Sequence, residues 1–447
     1  MAPHPGLAAF AAAAGVELVP PPPGEPDGDF RDDPRLDHGR VVRRTPLGVL
    51  RPRDTGQLVA CVGFLGEAKL RYTTRGAAHS AGGQTLVQDG VVLDLRHLDR
   101  ILDDDPSNET LTIEGGAWWL ALVRHLGAQG RRPRALTGNL RSSVAGTLAV
   151  GGFGDSSHLS GLQITHVLGM TLVTPDGARH RLGPDDELFR YSLAGRGQLG
   201  IIAEVTLRTV RRPLTIACRR LRWDSLGAFV RDSALIGACG TWDFLRARLR
   251  LPGGEVVAHA GRGLVDGRID EPGRDLLAPS ESGELERLDL LEALGGDLDH
   301  RQSACPALEL VLPLPDGLAA WPELAAMITS AGIPALQPLG HSVMVVPAAP
   351  RFPLAPTPPA GRGLLVALRP ELPIAEAPAL LPALRAIGRR ALELGARLYL
   401  MSIDLEDPRF AERQFGAALP RLRALRAERD PHGLLNAGLL EGPESPA

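Results

Sequence analysis

Short apolar runs alternate with turn residues and occasional amphipathic stretches over residues 46–213. Apolar runs bounded by glycine, proline or asparagine favour buried strands, whereas apolar positions three and four apart favour helices. The resulting predictions are strands at 47–50, 69–74, 90–95, 110–113, 167–173, 178–182 and 200–207, and helices at 55–67 and 117–129. Asp54 is in position to cap the first of these helices.

The mixed pattern continues towards the C-terminus. Further predicted elements are strands at 308–312 and 343–346 and a helix at 415–429. A chain of 447 residues is too long for one ordinary core. The length predicts two domains, with three as the alternative. We place the first at 1–213 (core at about 40–213) and the second at 214–400, followed by a C-terminal segment at 401–447.

Composition narrows the classes of function. With 44% hydrophobic and 23% charged residues, the chain has the make-up of a soluble globular protein. A formal net charge of −3 gives no basis for binding nucleic acid or an anionic membrane. The sequence contains no uninterrupted stretch of about 18 apolar residues, so we predict no membrane span. The apolar run at 7–14 favours a short surface helix over a signal peptide.

The four cysteines, at positions 61, 218, 239 and 305, lie far apart and lack the spacing of a zinc site or a disulfide framework. Scattered buried thiols in a reducing compartment explain them better. We therefore predict a cytoplasmic protein without a metal site.

Three glycine-rich loops carry the candidate chemistry. The first, 75–84, lies between two predicted strands and contains His79; the second spans 137–154 and the third 193–202. Small side chains let backbone N–H groups approach a phosphate closely. Each loop alone is also compatible with an ordinary flexible turn, and His79 alone with a structural role.

Together with the tail 430–438, these loops resemble the vanillyl-alcohol-oxidase-type flavoproteins, which carry a PCMH-type FAD-binding domain. The spacing over 137–167 is most similar to that of the cytokinin dehydrogenase branch. The resemblance implies an α+β fold with a two-subdomain FAD-binding domain at 1–213 and an α+β substrate-binding domain, built on an antiparallel sheet, at 214–400. The segment 401–447 would return to the FAD-binding domain.

The resemblance also implies roles for individual residues. His79 would be bonded covalently to the 8α-methyl group of the flavin. The other implied cofactor residues are Thr74, Arg75, Gly76, Ala77 and Ala78 for the pyrophosphate, Ser80 and Gln84 for polar contacts, Gly138, Ser143, Ala149, Phe153 and Ile202 around the ring systems, and Asn436 closing the pocket.

Four positions depart from the family pattern: Gly138, Ala78, Val150 and Leu439. The first two bear on the chemistry. Gly138 stands where cytokinin dehydrogenases place the aspartate that takes a proton from the substrate amine, so cytokinin itself is not the expected substrate. Ala78 replaces the glycine before the histidine and puts a Cβ beside the attachment site. A proton acceptor must then come from elsewhere. His158, which can titrate near neutral pH, is the first candidate; Asp155 and Tyr399 are the others, and each also fits a structural role.

These features predict an FAD-dependent oxidase or dehydrogenase of specialised metabolism. It would remove hydride from a C–H bond next to O or N of a small molecule, and oxygen or another acceptor would reoxidise the flavin. Two alternatives stay open. The same pocket could serve a non-redox flavoprotein that cyclises or isomerises its substrate, or the chain could be a binding protein without flavin.

Overall fold

The computed structural model describes residues 5–26, 28–211, 215–239, 242–263, 286–289, 303–334, 341–436 and 440. The first of its sheets contains strands β1 (Glu17–Val19), β2 (Gly48–Arg51), β3 (Tyr72–Arg75) and β4 (Val91–Asp94). The strand order is β1-β2-β4-β3, with β1 antiparallel to β2 and the other pairs parallel. The first glycine-rich loop leaves the carboxyl end of β3, and this is the edge where open parallel sheets bind ligands.

A crossover helix joins β2 to β3 and covers this sheet. It runs Thr55–Glu67, as predicted, and the carboxylate of Asp54 accepts a hydrogen bond from the backbone N–H of Gln57 at 2.8 Å. This bond satisfies one of the N–H groups that have no partner within the helix. The N-terminal helix Pro5–Ala14 packs on the crossover helix through two phenylalanine rings stacked 4.3 Å apart.

The second sheet is antiparallel and supports the other two loops. Its strands are β5 (Ile101–Asp105), β6 (Thr110–Glu114), β7 (Arg131–Pro133), β8 (Val167–Val173), β9 (Arg179–Leu182) and β10 (Ile201–Arg211). The order is β5-β6-β10-β8-β9, and β7 pairs with the end of β10. Four helices accompany it, at Trp119–Gly127, Val144–Leu148, Ser157–Ser160 and Glu187–Ser192, with a 3-10 turn at Gln163–His166.

The third sheet has eight strands, and all its described pairings are antiparallel. Its strands are β11 (Thr215–Trp223), β12 (Phe244–Arg250), β13 (Glu255–Gly263), β14 (Glu286–Asp289), β16 (Leu308–Leu314), β17 (His341–Pro347), β18 (Arg362–Leu368) and β20 (Arg397–Leu398). Their order is β14-β11-β13-β12-β17-β18-β16-β20, and β15 (Ser303–Ala304) pairs with β19 (Leu372–Pro373) beside them.

Helices cover one face of the third sheet and leave the other face to the glycine-rich loops. The covering helices are Leu226–Cys239, Asp316–Ser330 and Ala377–Glu393. On β12, Leu245, Ala247 and Leu249 belong to the apolar core on the helix side. Because side chains alternate along a strand, the arginines between them lie on the opposite face.

The C-terminal helix differs from its prediction. The sequence predicts one helix at 415–429. The structure instead has a helix at Phe410–Phe415, a 3-10 turn at Gly416–Ala418 and a second helix at Leu419–Arg429. Gly416 has a φ of +49°, which glycine adopts at little cost and which ends the first helix. The second helix has a proline in its first turn, a position that favours helix starts.

After this helix the chain runs back to the first sheet. Asp430 accepts hydrogen bonds from the backbone N–H groups of Leu434 and Leu435 at 2.8 and 3.0 Å. These bonds fix the turn, and the following residues lie alongside β3. There the N–H of Tyr72 donates to the carbonyl of Leu434, and the N–H of Asn436 donates to the carbonyl of Tyr72, both at 2.9 Å.

The α+β character of the fold is confirmed. The separation of the N-terminal unit into two subdomains and the division of the chain into two domains and a C-terminal segment stay predictions. The predicted boundary at 213 and part of the predicted tail, 437–439, lie outside the described residues. Among the helices that the structure describes, none is long and apolar enough to cross a lipid bilayer.

Candidate active site

A cavity of about 450 Å³ lies between the three glycine-rich loops and the open face of the third sheet. The predicted cofactor residues that line it are Thr74, Gly76, Ala77, Ala78, His79, Ser80, Gln84, Gly138, Ser143, Ala149, Phe153, Ile202 and Asn436. Two of the three candidate proton acceptors, Asp155 and Tyr399, line it as well. The fold thus brings together residues that are more than 300 positions apart in the chain.

Arg75 is the predicted cofactor residue that does not line this cavity. Its buried side chain donates to the backbone carbonyls of Leu36, at 2.9 Å, of Asp33, at 3.0 Å, and of Phe30. The guanidinium therefore anchors the N-terminal segment over the first loop. Arg75 is the last residue of β3, and the sequence did not show that its side chain points away from the cavity.

The first loop passes through a left-handed residue at Ala78, which has a φ of +58°. A non-glycine residue in this conformation costs roughly 1 kcal/mol. Ala78 is buried in a small apolar cluster with Phe30 and Leu36, and this contact offsets part of the strain. Ala78 therefore packs against these two side chains while it also lines the cavity.

His79 follows directly and lines the cavity. Its ring meets the ring of Phe30 edge-on, with centroids 5.5 Å apart, and lies 5.7 Å from the ring of His38. His38 lines the same cavity. Two imidazoles therefore lie side by side at this end of the cavity.

The first and second loops approach each other where Gly76 faces Ser143. A Cβ on Gly76 would overlap the Ser143 hydroxyl, so only glycine fits here. The third loop is fastened to the second by hydrogen bonds from the N–H of Ala194 to the carbonyl of Leu148, at 2.9 Å, and from the N–H of Arg196 to the carbonyl of Ala149, at 2.7 Å. The three loops thus form one continuous wall.

Asn436 joins this wall from the C-terminal segment. Its Oδ1 accepts from the hydroxyl of Thr73 at 2.8 Å and from the N–H of Thr74 at 3.3 Å. Its Nδ2 donates to the carbonyl of Gly197 at 2.9 Å, and its carbonyl accepts from the side chain of Gln198 at 3.0 Å. One side chain therefore ties the first loop to the third.

Asp155 brings a carboxylate to the cavity directly after the second loop. Its Oδ2 accepts from Nε and Nη2 of Arg246 at 2.9 and 2.7 Å. Oδ1 accepts no hydrogen bond from the described residues and faces Gly138. The charge of Asp155 raises the pKa of Arg246.

A second ion pair lies on the sheet face. Glu309 is fully buried, and its Oε1 accepts from Nε of Arg369 at 2.8 Å. The Glu309 carboxylate raises the pKa of Arg369. The other carboxylate oxygen, Oε2, is buried and accepts no hydrogen bond from the part of the chain that the structure describes.

Tyr399 lies at the base of the cavity, with its ring 4.9 Å from that of Phe153. Burial and the nearby Glu309 carboxylate raise the pKa of Tyr399. At neutral pH the phenol therefore stays protonated, so it can donate a hydrogen bond but is a poor proton acceptor.

His158 is not brought to the cavity. Its side chain is buried, and its two ring nitrogens lie 3.1 Å from the carbonyl of Asp155 and 3.0 Å from the carbonyl of Trp242. Burial lowers the pKa of His158. We therefore do not retain His158 as a proton acceptor; it links the second loop to the segment before β12.

Sequence reasoning missed the charged residues of the sheet face: Arg246, Arg248, Glu309 and Arg369. A signal existed, since β12 reads as alternating arginine and apolar residues and Glu309 interrupts an apolar strand. Alternation alone does not distinguish a face turned to solvent from one turned to a cavity.

The loops fit a large, flat cofactor. The wall is built from glycine and alanine, including Gly138, Ala145, Gly146 and Ala149, which leave room for ring systems close to the backbone. At Gly138 the nearest other side-chain atom is 3.8 Å from where a Cβ would be. A dinucleotide needs such close backbone approach at its phosphates.

Comparisons with known proteins agree with this fit. The family model of an FAD binding domain matches residues 46–183. An uncharacterized oxidoreductase (ORF5 in the fasciation locus) of Rhodococcoides fascians is 30% identical over 217 residues, which is 48% of this chain and 49% of that protein. Cytokinin dehydrogenase 7 of Oryza sativa subsp. japonica is 31% identical over 208 residues, 45% of this chain and 40% of that protein.

The chain spans about half the length of the curated relatives it matches, or less. The matched family region contains the first loop, the second loop and the strands that support them. Residues 46–183 therefore match an FAD binding domain, and this part of the chain is similar to an oxidoreductase and to cytokinin dehydrogenases; these likenesses identify FAD as the cofactor of this region.

Proposed function

We propose that this protein is an FAD-dependent oxidoreductase that takes hydride from a C–H bond next to O or N of a small molecule. The observation that carries the proposal is the shared cavity: the loops of an FAD-binding domain form one wall, and a sheet face with paired charges forms the other. Bound FAD supplies the hydride acceptor, and oxygen or another acceptor then reoxidises it.

Asp155 is the proposed proton acceptor. Removal of hydride from an alcohol or amine carbon also requires loss of the O–H or N–H proton, and a carboxylate at the wall can receive it. Oδ2 of Asp155 is held by Arg246, while Oδ1 faces the cavity beside Gly138. The arginine thus orients the carboxylate.

Tyr399 is the proposed donor that positions the substrate oxygen or nitrogen. It is protonated at neutral pH because burial raises its pKa. It lines the same cavity as Asp155. Tyr399 would donate a hydrogen bond to the substrate and Asp155 would accept one from it, and together they would orient the reacting C–H bond.

The proposed covalent link to the flavin is through His79. Support comes from its place in the first loop and in the cavity wall. An alkylated imidazole withdraws electron density, which makes a flavin a better hydride acceptor, and a tether prevents loss of the cofactor.

Because Gly138 removes the side chain with which cytokinin dehydrogenases accept the substrate proton, we place the substrate in specialised metabolism rather than among cytokinins.

The test is anaerobic mixing of the flavin-loaded protein with a panel of alcohols, amines and 2-hydroxy acids. Bleaching of the visible flavin band by one member, with the oxidised product found in equal amount, is the expected result. Product formed while the flavin stays oxidised would replace the redox proposal by cyclisation or isomerisation. A purified protein that stays colourless after addition of FAD would overturn both.

A further inference from the structure

Arg248 is the arginine of the sheet face that has no carboxylate partner among the described residues. Its Nη1 donates to the hydroxyl of Ser342 at 2.7 Å and to the carbonyl of Ala247 at 3.4 Å. Nε is buried and finds no acceptor among the described residues, and Nη2 makes no hydrogen bond to them. Two of the three nitrogens, which form one edge of the planar group, are therefore without a protein acceptor in the described part of the chain.

The two neighbouring arginines each have a carboxylate partner. Arg246 is paired with Asp155 at 2.7 Å, and Arg369 is paired with Glu309 at 2.8 Å. No described carboxylate lies within ion-pairing distance of Arg248. Burial and the charge of Arg246 lower the pKa of Arg248 to about 10, so the group still carries its charge at neutral pH.

The register of the sheet places Arg248 where a substrate can reach it. Arg248 is opposite Ser342, and Ser342 is opposite Ala367 on the next strand. All three line the cavity. Met344 and Leu365 lie opposite each other two residues further along these strands, and they continue the cavity lining with an apolar surface.

We propose that Arg248, with Ser342 beside it, binds a carboxylate of the substrate, whose apolar part covers Met344 and Leu365. The edge formed by Nε and Nη2 matches the two oxygens of a carboxylate. A donor left without an acceptor in a buried place costs free energy, so an acceptor there is favoured. This inference rests on the proposed function, because it places the substrate in the cavity that FAD shares.

A carboxylate fits better than a phosphate ester. The sheet face carries three arginines at the cavity, and two of them are paired with Asp155 and Glu309. On this face one positive charge is left without a described carboxylate partner, which matches a singly charged group, whereas a phosphate monoester carries close to two negative charges at pH 7. Binding a dianion here would leave one charge uncompensated in a partly buried site.

The experiment compares three probes of similar shape: phenylacetate, phenylacetamide and phenyl phosphate. Each is titrated into the flavin-loaded protein while the visible flavin spectrum and the heat of binding are recorded. A charge-assisted hydrogen bond contributes about 1.5–3 kcal/mol, so phenylacetate should bind roughly tenfold or more tightly than phenylacetamide. Equal affinities for the acid and the amide would overturn the proposal, and tighter binding of phenyl phosphate would overturn the choice of carboxylate.

Two variants and a control locate the effect. Arg248→Met should reduce the preference for the acid to less than about twofold, whereas Arg248→Lys should keep the preference with weaker binding because it keeps the charge. Arg250→Met is the control: Arg250 lies at the exposed end of the same strand and pairs with Glu255. A full preference in Arg248→Met, or its loss in Arg250→Met, would contradict the assignment.

The titration requires no turnover, so the two proposals fail separately. If phenylacetate is preferred and depends on Arg248 while no panel member bleaches the flavin, the oxidoreductase proposal fails and the carboxylate site stands. If the flavin is bleached by substrates without an acid group and phenylacetate is not preferred, the carboxylate inference fails and the oxidoreductase proposal stands.

Discussion

The carboxylate of Asp155 lies beside Gly138: a Cβ on Gly138 would be 3.8 Å from Asp155 Oδ1. Gly138 is the position at which the resembled cytokinin dehydrogenases carry their proton-accepting aspartate. The wall of the cavity therefore still presents a carboxylate, but from a residue seventeen positions further along the chain. Arg246 holds it from the opposite sheet.

Asp155→Asn should slow anaerobic flavin reduction by about 10²–10⁴-fold, the usual contribution of a general base. Gly138→Asp added to this variant should restore at least about tenfold of the lost rate, because Gly138 does not have a left-handed φ and has space for a side chain. Stopped-flow absorbance with a substrate from the panel measures both. The control is Asp185→Asn, which changes a fully exposed carboxylate and should leave the rate of flavin reduction unchanged. If the rate for Asp155→Asn stays within threefold of that of the unmodified protein, another group accepts the proton.

His79→Ala should release the flavin from the polypeptide. After acid precipitation we expect flavin fluorescence in the pellet of the unmodified protein and in the supernatant of this variant. His38→Ala is the matched control, because its ring lies 5.7 Å away in the same cavity. Fluorescence wholly in the supernatant of the unmodified protein would refute the covalent link, and release by His38→Ala alone would move it to His38.

Gly76→Ala should lower both the stability and the flavin content. The new Cβ would overlap the Ser143 hydroxyl, and such overpacking costs about 1–3 kcal/mol in the free energy of unfolding. Urea denaturation and the ratio of flavin to protein absorbance give the two values. Gly63→Ala, in the helix Thr55–Glu67 with no atom near the new Cβ, should instead stabilise by about 0.5–1 kcal/mol. Equal effects of the two substitutions would show that the loops do not meet at Gly76.

Asp37 should make stability depend on pH. It is fully buried beneath the first loop, where it accepts hydrogen bonds from the N–H of Gly83 at 2.7 Å and from the hydroxyl of Ser80 at 3.2 Å. Burial raises the pKa of Asp37 from 3.8 to about 6. Since the pKa of Asp37 is higher in the folded than in the unfolded protein, protonation of Asp37 stabilises the fold. This contribution to the free energy of unfolding is complete below pH 4 and is lost as the pH rises through 6.

The size of the Asp37 effect follows from the shift, which corresponds to about 3 kcal/mol at most. We expect the free energy of unfolding of the unmodified protein, relative to that of Asp37→Asn, to fall by about 1–3 kcal/mol between pH 4 and pH 7. Urea midpoints of both proteins at several pH values measure this difference, in which other titrating groups cancel. A difference that is constant or grows with pH would show that Asp37 is ionised in the folded protein throughout.

Local patterns predicted the elements whose ends are fixed by local chemistry. The helix Thr55–Glu67 has the predicted bounds because Asp54 caps it through a bond three residues away. The C-terminal helix was predicted less well, because the apolar periodicity continues through Gly416 while its backbone does not. Arg75 and His158 show the same limit for sites: the sequence placed both near the loops, but the direction of each side chain depends on contacts with distant segments.

The sequence by itself determined the three glycine-rich loops, the likeness to FAD-binding flavoproteins and the absence of an acidic side chain at position 138, because these are properties of consecutive residues. Only the tertiary structure decided what faces the loops. It turned the arginine-bearing side of β12 towards the cavity, placed the Asp155 carboxylate beside Gly138 and brought Asn436 back to β3. These relationships join residues from seventeen to more than three hundred positions apart. They arise because the apolar face of each sheet must be buried against its helices, which leaves the opposite face for the site.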